Sequence, residues 1–469
     1  MTVASDALVL SALAFGMLGC TDLPDPKKGE SDGAGGGSDA LTWSGGIRDI
    51  FQQNCVRCHA SGQFSTYEPM QTYQQLLEQV PNIAAKIQDP PSHGAQMPPY
   101  PGGSVDGACE PAHPYSNDLR MPPEQIEAVL RWIGAGKPEG APSNDFLLAE
   151  PPAALDAAVE YAFDEGYVMS IGSDDDDGHR DDWVCVIVDP ELTDGDGFLS
   201  GIQINSGVNQ VFRGGLVRLD KARESLAFVG PTSTRNHGVR WYDCDEGFGF
   251  AGDILGGFLP EGEPIETPEG SAVRVPQGSL IVYKIHYHGH YDTVNPDDTD
   301  PLPPLIEWPD HTSLSLRWED PANVARPTSL LTFGNYDTAA VDGTGSLTPP
   351  FELPGKANKH VESMVTRVPG KPSDAYAVWA VQPEMGAYGL MASVSVTRAG
   401  DSSPDCLAAN PRWIDTWQLP LTIDPVANPV IVHGGDRLQL DCQYRNPSAS
   451  SITLADESCR AMIGLLPME

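Results

Sequence analysis

The chain has few basic residues. It carries 28 Lys and Arg against 65 Asp and Glu among 469 residues, so its net charge is −37. Nucleic acid and anionic lipid headgroups are disfavoured as partners, because both repel a protein of this charge. The excess acid is compatible with a basic redox partner protein, and also with a surface that is simply well solvated.

The apolar run near the amino terminus is too short to cross a bilayer. It occupies residues 7–18, whereas a spanning helix needs roughly 20 apolar residues. Because it ends in the LGC sequence at Cys20, it resembles a bacterial lipoprotein signal that is cleaved before Cys20. We therefore expect residues 1–20 to be a signal, Cys20 to carry a lipid anchor, and the protein to be exported to the periplasm or cell surface. Residues 21–40 are polar and glycine-rich, which predicts a flexible linker.

Long helical stretches are also scarce. The 48 Gly and 43 Pro, with an apolar fraction of 40%, indicate β-rich and loop-rich structure. The length is sufficient for about three domains. Helical periodicity is confined to residues 41–145, and short β-branched and aromatic runs replace it from about residue 150 onward.

Three helices are predicted within residues 41–145. Pro122-Pro123-Glu124 begins the last of them, and Gly134 ends it. The residues expected on the buried faces are Ile47, Ile50, Phe51 and Cys55; Tyr73, Leu76, Leu77 and Val80; and Ile126, Val129, Leu130 and Ile133.

The first predicted helix leads into Cys55-Val56-Arg57-Cys58-His59. Two thiols three positions apart on a helix can add to the two vinyl groups of a haem, and the adjacent His59 then becomes the proximal iron ligand. A thioredoxin-like redox pair or half of a zinc site needs a βαβ unit or a second close Cys/His pair, which the flanking sequence lacks. The motif therefore predicts a c-type haem.

A helix into this motif, a loop and a closing helix that contains Trp132 together resemble a small cytochrome c domain. That resemblance implies a methionine as the sixth iron ligand. Met97 and Met121 both precede a proline, and Met97 is preferred because Met121 abuts the last helix. A thioether opposite His59 raises the iron's reduction potential and suits electron transfer.

A run of alternating histidines lies in the β-rich region. If the strand continues through it, His286, His288 and His290 point to one face and can hold zinc or copper, with His237 as a further candidate. The alternative is that these are polar residues on one face of a sheet.

The β-rich region resembles the copper type II, ascorbate-dependent monooxygenases, the family of peptidylglycine α-hydroxylating and dopamine β-monooxygenases. Four stretches carry the resemblance: LIVYKIHY at 280–287, PRWIDTWQ at 411–418, GDRLQLDC at 435–442 and DESC at 456–459. It implies two jelly-roll-like β-sandwich domains. With a Pro- and Asp-rich break near residue 300, the predicted fold is multidomain: a small all-α cytochrome c-like domain at 41–145, followed by all-β jelly-roll-like sandwiches at 150–300 and 305–469.

The same resemblance implies two copper sites with six ligands, most of which this chain lacks. His286 matches one histidine of the relay site. Phe212 and Arg213 stand where that site's paired histidines are expected, Glu384-Met385-Gly386 replaces the His-x-His of the oxygen-activating site, and Ser458 replaces its methionine. Five of six ligands are gone, so the resemblance leaves copper as an alternative cofactor only.

Six cysteines remain outside Cys20 and the haem motif, which predicts up to three disulfides in an exported protein. The resemblance implies a bond between Cys442 and Cys459. We also expect Cys185 to pair with Cys244.

The main functional hypothesis is a haem-binding electron-transfer lipoprotein whose degenerate monooxygenase-like β module binds or docks a partner. The alternative is an active copper monooxygenase that hydroxylates a C–H bond with the haem as its electron donor. A structural lipoprotein in a larger redox assembly is a third hypothesis.

Overall fold

The computed structural model describes residues 41–61, 68–88, 97–98, 109–141, 146–162, 166–167, 179–207, 212–229, 239–244, 247–259, 262–290, 309–336, 339–341, 347–348, 352–415, 418–453 and 457–468. Residues Leu41–Glu469 form one compact unit. The predicted signal, the Cys20 anchor, the linker, His237 and the break near residue 300 lie outside the described residues. In the described part of the chain, no helix is both long and apolar enough to cross a membrane.

Each predicted helix is present: α1 at Arg48–Asn54, α2 at Tyr73–Lys86 and α3 at Pro123–Gly134. A short π-helical turn at Trp43–Ile47 precedes α1. The helix α2 begins with a capping box, in which the Thr72 hydroxyl accepts from the Gln75 N–H and the Gln75 side chain accepts from the Thr72 N–H. The helices pack around a small apolar cluster that includes Trp43, Phe51, Leu76 and Trp132.

The first half of the β-rich region forms a two-layered sandwich. Its strands are β1 Val159–Ala162, β2 His179–Val188, β3 Gly197–Asn205, β4 Phe212–Asp220, β5 Val239–Asp243, β6 Asp253–Phe258, β7 Ile265–Glu266, β8 Ser271–Val275, β9 Leu280–His290 and β10 Ser313–Trp318. A five-stranded antiparallel sheet in the order β5-β2-β9-β4-β6 packs on β1, β10, β3 and β8. Alternate residues of β9, such as Tyr283 and Ile285, fill the core, so Lys284 and His286 lie on the opposite face.

The second half forms another sandwich. Its strands are β11 Arg326–Tyr336, β12 Ala339–Val341, β13 Leu347–Thr348, β14 Glu352–Leu353, β15 His360–Arg367, β16 Ala375–Met385, β17 Gly389–Thr397, β18 Asp405–Asn410, β19 Leu421–Thr422, β20 Val430–His433, β21 Arg437–Tyr444, β22 Ile452–Thr453 and β23 Cys459–Pro467. A four-stranded sheet in the order β15-β21-β17-β18 packs on β11, β23 and β16.

One sheet is continuous through both sandwiches. Its main path is β1-β10-β3-β8-β11-β23-β16-β19, and the two halves join where β8 and β11 pair in parallel at Arg326 and Ser271. The core of the first sandwich accordingly includes Trp379 and Met462 from the second. The predicted β-sandwich architecture is confirmed, but the two sandwiches share a sheet and part of a core.

The predicted fold class is therefore wrong. The described residues contain three α-helices against 23 strands, and the helices form no separate all-α domain. The reason is that the chain between α2 and α3 crosses to the second sandwich: the Tyr115 side chain is part of its core, and the Tyr115 hydroxyl donates to the Leu407 carbonyl at 3.1 Å. Asn117 donates to the Pro420 carbonyl at 2.7 Å and accepts from the Thr422 N–H. Helical periodicity indicates which face of a helix is buried, but it does not indicate that the chain between two helices crosses to another part of the protein.

Three disulfides join the six cysteines that lie outside the haem motif in the described chain. Cys185–Cys244 and Cys442–Cys459 are the pairs expected. The third, Cys109–Cys406, bridges 297 residues and fixes the segment between α2 and α3 to β18. This disulfide thus attaches the helical region covalently to a strand of the second sandwich that lies far away in the sequence.

Replacing Cys109 and Cys406 together by Ala should destabilise the protein. The cross-link restrains a loop of 297 residues in the unfolded chain, so the free energy of unfolding is expected to fall by about 2–5 kcal/mol. Urea unfolding under non-reducing conditions, followed by circular dichroism, measures it. The control Cys185→Ala with Cys244→Ala opens a loop of 59 residues and should cost less. An unchanged urea midpoint in the first variant would contradict this role.

Candidate functional site

The haem motif lies in the turn that ends α1. The Cys55 N–H donates to the Phe51 carbonyl at 2.9 Å, and the Cys55 carbonyl accepts from Cys58 at 3.1 Å and His59 at 2.9 Å. Val56 is fully buried in the helical cluster and anchors the turn, whereas Cys55 and Cys58 are half-buried. The two thiols are the only described cysteines outside a disulfide, and burial raises the pKa of the Cys55 thiol to about 12.

The His59 ring is oriented by a backbone contact. Its Nδ1 lies 3.1 Å from the Glu68 carbonyl oxygen. Because a carbonyl can only accept, Nδ1 carries the proton and Nε2 keeps its lone pair. Burial lowers the pKa of His59, although the contact with Glu68 acts to raise it. The lowered pKa favours the neutral ring. A neutral imidazole whose Nδ1–H is held by a carbonyl is the form that ligates a metal.

The two methionines proposed as the sixth ligand have different surroundings. Met97 is half-buried, and its N–H donates to the Lys86 carbonyl at the end of α2 at 3.0 Å. Met121 is only 5% exposed and packs within the helical cluster. Met121 thus has a packing role independent of any iron. Met97 remains the predicted ligand.

A cleft of about 1070 Å³ lies between the two sandwiches. One wall is the outer face of the five-stranded sheet, with Trp183, Arg218 and His286. The other wall is formed where β16 ends and β23 begins, with Glu384 and Arg460.

Three buried charged residues join the walls of this cleft. Glu384 Oε1 accepts from Arg460 Nη2 at 2.7 Å and also from Arg218. Arg218 donates to the Phe250 carbonyl at 3.1 Å, and its guanidinium lies 3.9 Å from the centre of the Phe248 ring. The two arginines compensate one carboxylate, so the buried group is positively charged overall.

His286 is held between a carboxylate and an indole. Its Nε2 lies 2.6 Å from Asp181 Oδ1, and its ring stacks on Trp183 with centroids 3.7 Å apart. His288 Nδ1 contacts the same Asp181 oxygen at 2.9 Å. Partial burial acts to raise the pKa of Asp181, but hydrogen bonds from both rings hold it well below its usual range. Lys284 lies 4.0 Å from the centre of the Trp183 ring.

The donor set does not fit the copper sites that the resemblance implies. Phe212 is buried in the apolar core, Glu384 is paired with two arginines, and Gly386 has no side chain. Nowhere in the described chain do three or more His, Cys, Asp or Glu side chains form a group that could hold a metal ion. His286 and His288 come together around Asp181, whereas the side chain of His290 is outside the described residues.

A second buried carboxylate, Glu457, shapes the cleft. It accepts hydrogen bonds from the backbone N–H groups of Gly386, Tyr388 at 2.9 Å and Ser458 at 2.8 Å. Burial raises its pKa to about 7, although these backbone donors act in the opposite direction. Glu457 thus fixes the turn between β16 and β17.

Sequence reasoning missed most of these cleft residues. Arg218, Lys284 and Arg460 each have apolar residues next to them in their strands. A charged residue at such a position is a signal that could have identified them, because burial of an unpaired charge is strongly unfavourable. Gln418 and Glu457 lie in stretches that carry the family resemblance, but nothing in those stretches assigned them a place in a cleft, and no local pattern marks Asn335.

The pKa of Glu457 predicts a pH-dependent stability. Because the pKa of this carboxyl is about 7 in the folded protein against an ordinary value of 4.5, the folded state binds more protons between these two pH values. The free energy of unfolding should therefore decline as pH rises from about 4.5 through about 7, by about 3 kcal/mol. Thermal melts of Glu457→Gln and wild type at pH 5, 6, 7 and 8 measure this, and the variant should show the shallower decline.

The matched control is Glu224→Gln, whose side chain is exposed and should leave the slope unchanged. Equal slopes for Glu457→Gln and wild type would remove Glu457 as the source of the pH dependence.

No family model and no curated protein matches this chain. Among solved structures, it is similar to the VP2 subviral particle of infectious bursal disease virus, with 8% identity and a TM-score of 0.19 over 67% of this chain and 75% of that chain. The structure of the Gx strain of that virus has 11% sequence identity and a TM-score of 0.18, and the match covers 68% of this chain and 73% of that chain. A Parabacteroides distasonis protein described as secreted has 10% identity and a TM-score of 0.15, with 67% of this chain and 91% of that chain covered. Similarity at this level supports no statement about function.

Proposed function

We propose that the protein is an exported electron-transfer protein that carries one covalent c-type haem and uses its β module to bind a ligand or partner. Cys55, Cys58, His59 and Met97 would hold the haem, the two thiols through thioethers and the histidine and methionine through the iron. A haem held in this way supplies one-electron transfer at a raised reduction potential.

One observation carries the haem proposal. Of the eight cysteines in the described chain, six are paired in three disulfides, and Cys55 and Cys58 remain as thiols beside a histidine whose Nδ1–H is held by a carbonyl. In an oxidising compartment, two thiols separated by two residues would ordinarily be expected to oxidise. Their consumption by a haem explains why the chain retains them.

The disulfides also support export, since such bonds persist in the periplasm and outside the cell. Together with the lipoprotein-like signal, they support a protein anchored at a bacterial membrane through Cys20, where a redox partner protein reaches the haem. The β module is assigned to binding, because Phe212 is buried in the apolar core, Glu384 is paired with Arg218 and Arg460, and Gly386 has no side chain.

Covalent haem attachment tests the proposal directly. Expression with periplasmic haem-attachment machinery should give a protein that retains haem on a denaturing gel and shows a c-type pyridine haemochrome spectrum. Cys55→Ala with Cys58→Ala should abolish both signals, because no thiol remains to form a thioether. Cys185→Ala with Cys244→Ala controls for the loss of two cysteines. A wild-type protein without covalent haem would refute the proposal.

The sixth ligand is tested by comparing two leucine variants. Met97→Leu should lose the methionine-to-iron charge-transfer band of the oxidised protein and lower the reduction potential, because the thioether ligand is removed. Met121→Leu is the matched control and should keep the band, since Met121 packs within the helical cluster. If the band instead survives in Met97→Leu and is lost in Met121→Leu, then Met121 is the ligand.

A further inference from the structure

Several cleft-lining side chains carry a buried polar atom that makes no hydrogen bond. Among them are His286 Nδ1, Glu384 Oε2, Asn335 Nδ2 and Gln418 Oε1. Each side chain is at least nine-tenths buried, with exposed fractions of 7%, 4%, 1% and 9%. A buried polar atom without a partner is unfavourable, and its presence in a cleft indicates a group that hydrogen-bonds when a ligand is bound.

The remaining contacts of these residues decide which atoms accept. His286 Nε2 faces the Asp181 carboxylate, so Nε2 carries the proton and Nδ1 is an acceptor. Glu384 Oε1 is used by both arginines, which leaves Oε2 as an acceptor. Gln418 Nε2 donates to the carbonyls of Met385 at 3.0 Å and Asp415 at 2.7 Å, so its Oε1 is the remaining acceptor.

Asn335, in contrast, offers a hydrogen-bond donor. Its Oδ1 accepts from the Cys459 N–H at 2.8 Å, so its Nδ2 donates. These four residues thus offer three acceptors and one donor. A ligand that complements them both donates and accepts hydrogen bonds, as a set of hydroxyl groups does.

The charges of the cleft do not favour an ionic ligand. Glu384 pairs with both Arg218 and Arg460, which leaves this group one positive charge, and Lys284 lies against the Trp183 ring. Asp181 and Asp415 also line the cleft, so an anion meets carboxylates and a cation meets two guanidiniums. A neutral ligand avoids both repulsions.

Aromatic residues also line the cleft, namely Trp183, Phe248 and Tyr388. The Trp183 ring stacks on His286 and has Lys284 4.0 Å from its centre, and the Arg218 guanidinium lies over the Phe248 ring. The half-buried Tyr388 adds amphipathic contact surface. The volume of about 1070 Å³ is near the upper limit of small-molecule pockets, roughly 300–1,000 Å³, so a disaccharide is a suitable probe.

We propose that the cleft between the two sandwiches binds a neutral, hydroxyl-rich ligand of the carbohydrate class. Ligand hydroxyls donate to His286 Nδ1, Glu384 Oε2 and Gln418 Oε1, and one hydroxyl oxygen accepts from Asn335 Nδ2. This inference rests on the binding role proposed for the β module and is independent of the haem.

Isothermal titration of the full protein, expressed with the haem-attachment machinery, with maltose, cellobiose and chitobiose tests the inference. At least one of these neutral disaccharides should bind saturably. Glu384→Gln, which replaces the Oε2 acceptor with a donor, and His286→Phe, which keeps the ring on Trp183 without its nitrogens, should each weaken binding by roughly tenfold or more. If Glu384→Gln fails to fold, His286→Phe decides the result.

His360→Phe is the matched control, because His360 Nε2 lies 2.6 Å from Glu362 Oε1 in the same kind of histidine–carboxylate pair on β15. It should bind the disaccharide as the wild type does. Acetate and putrescine serve as charged probes. Failure of all three disaccharides, binding of a charged probe alone, or disaccharide affinity unchanged in both cleft variants would each overturn the inference.

The pyridine haemochrome spectrum of the same sample separates the two proposals. A haem-loaded protein that binds no disaccharide refutes the ligand class and leaves the haem assignment intact. A disaccharide-binding protein without covalent haem refutes the electron-transfer function and supports the cleft.

Discussion

The arrangement of the cleft depends on one carboxylate. Glu384, at the end of β16, is bonded by Arg218 from β4 and by Arg460 from β23, so a single side chain connects the two sandwiches. Buried ions of this kind are weak evidence for net stability, since desolvation offsets much of the Coulomb attraction. Removing one partner is nevertheless costly, at about 3–5 kcal/mol, because the others remain buried and uncompensated. The three charges thus constrain how the two walls face each other.

The same contacts leave part of the site unsatisfied. The arginines use only one oxygen of Glu384, and Asp181 uses only one nitrogen of His286. Buried polar atoms are normally hydrogen-bonded. In this cleft several buried polar atoms have no hydrogen bond, and this distinguishes the cleft from the apolar cores on either side of it.

The haem motif and the cleft belong to one compact unit. The Cys109–Cys406 disulfide and the hydrogen bonds of Tyr115 and Asn117 fix the chain between α2 and α3 to the second sandwich, while Arg57, within the motif itself, lies 3.2 Å from Glu263 of the first sandwich. The proposed haem at Cys55 and Cys58 would therefore be carried on a fixed support, which would suit electron exchange with an external partner at a constant surface of the protein.

The sequence by itself determined what depends on near neighbours in the chain. The three helices, the strand character beyond residue 150 and the Cys55–His59 motif all follow from spacings of a few residues, which fix the face on which a side chain lies. Two of the three disulfides could also be anticipated. Only the tertiary structure decided the shared sheet, the crossing of residues 109–118 and the grouping of Arg218 with Glu384, which lie 166 positions apart. Periodicity shows that a strand has a buried face, but it does not show which distant strand covers that face, and the cleft is made entirely of such distant contacts.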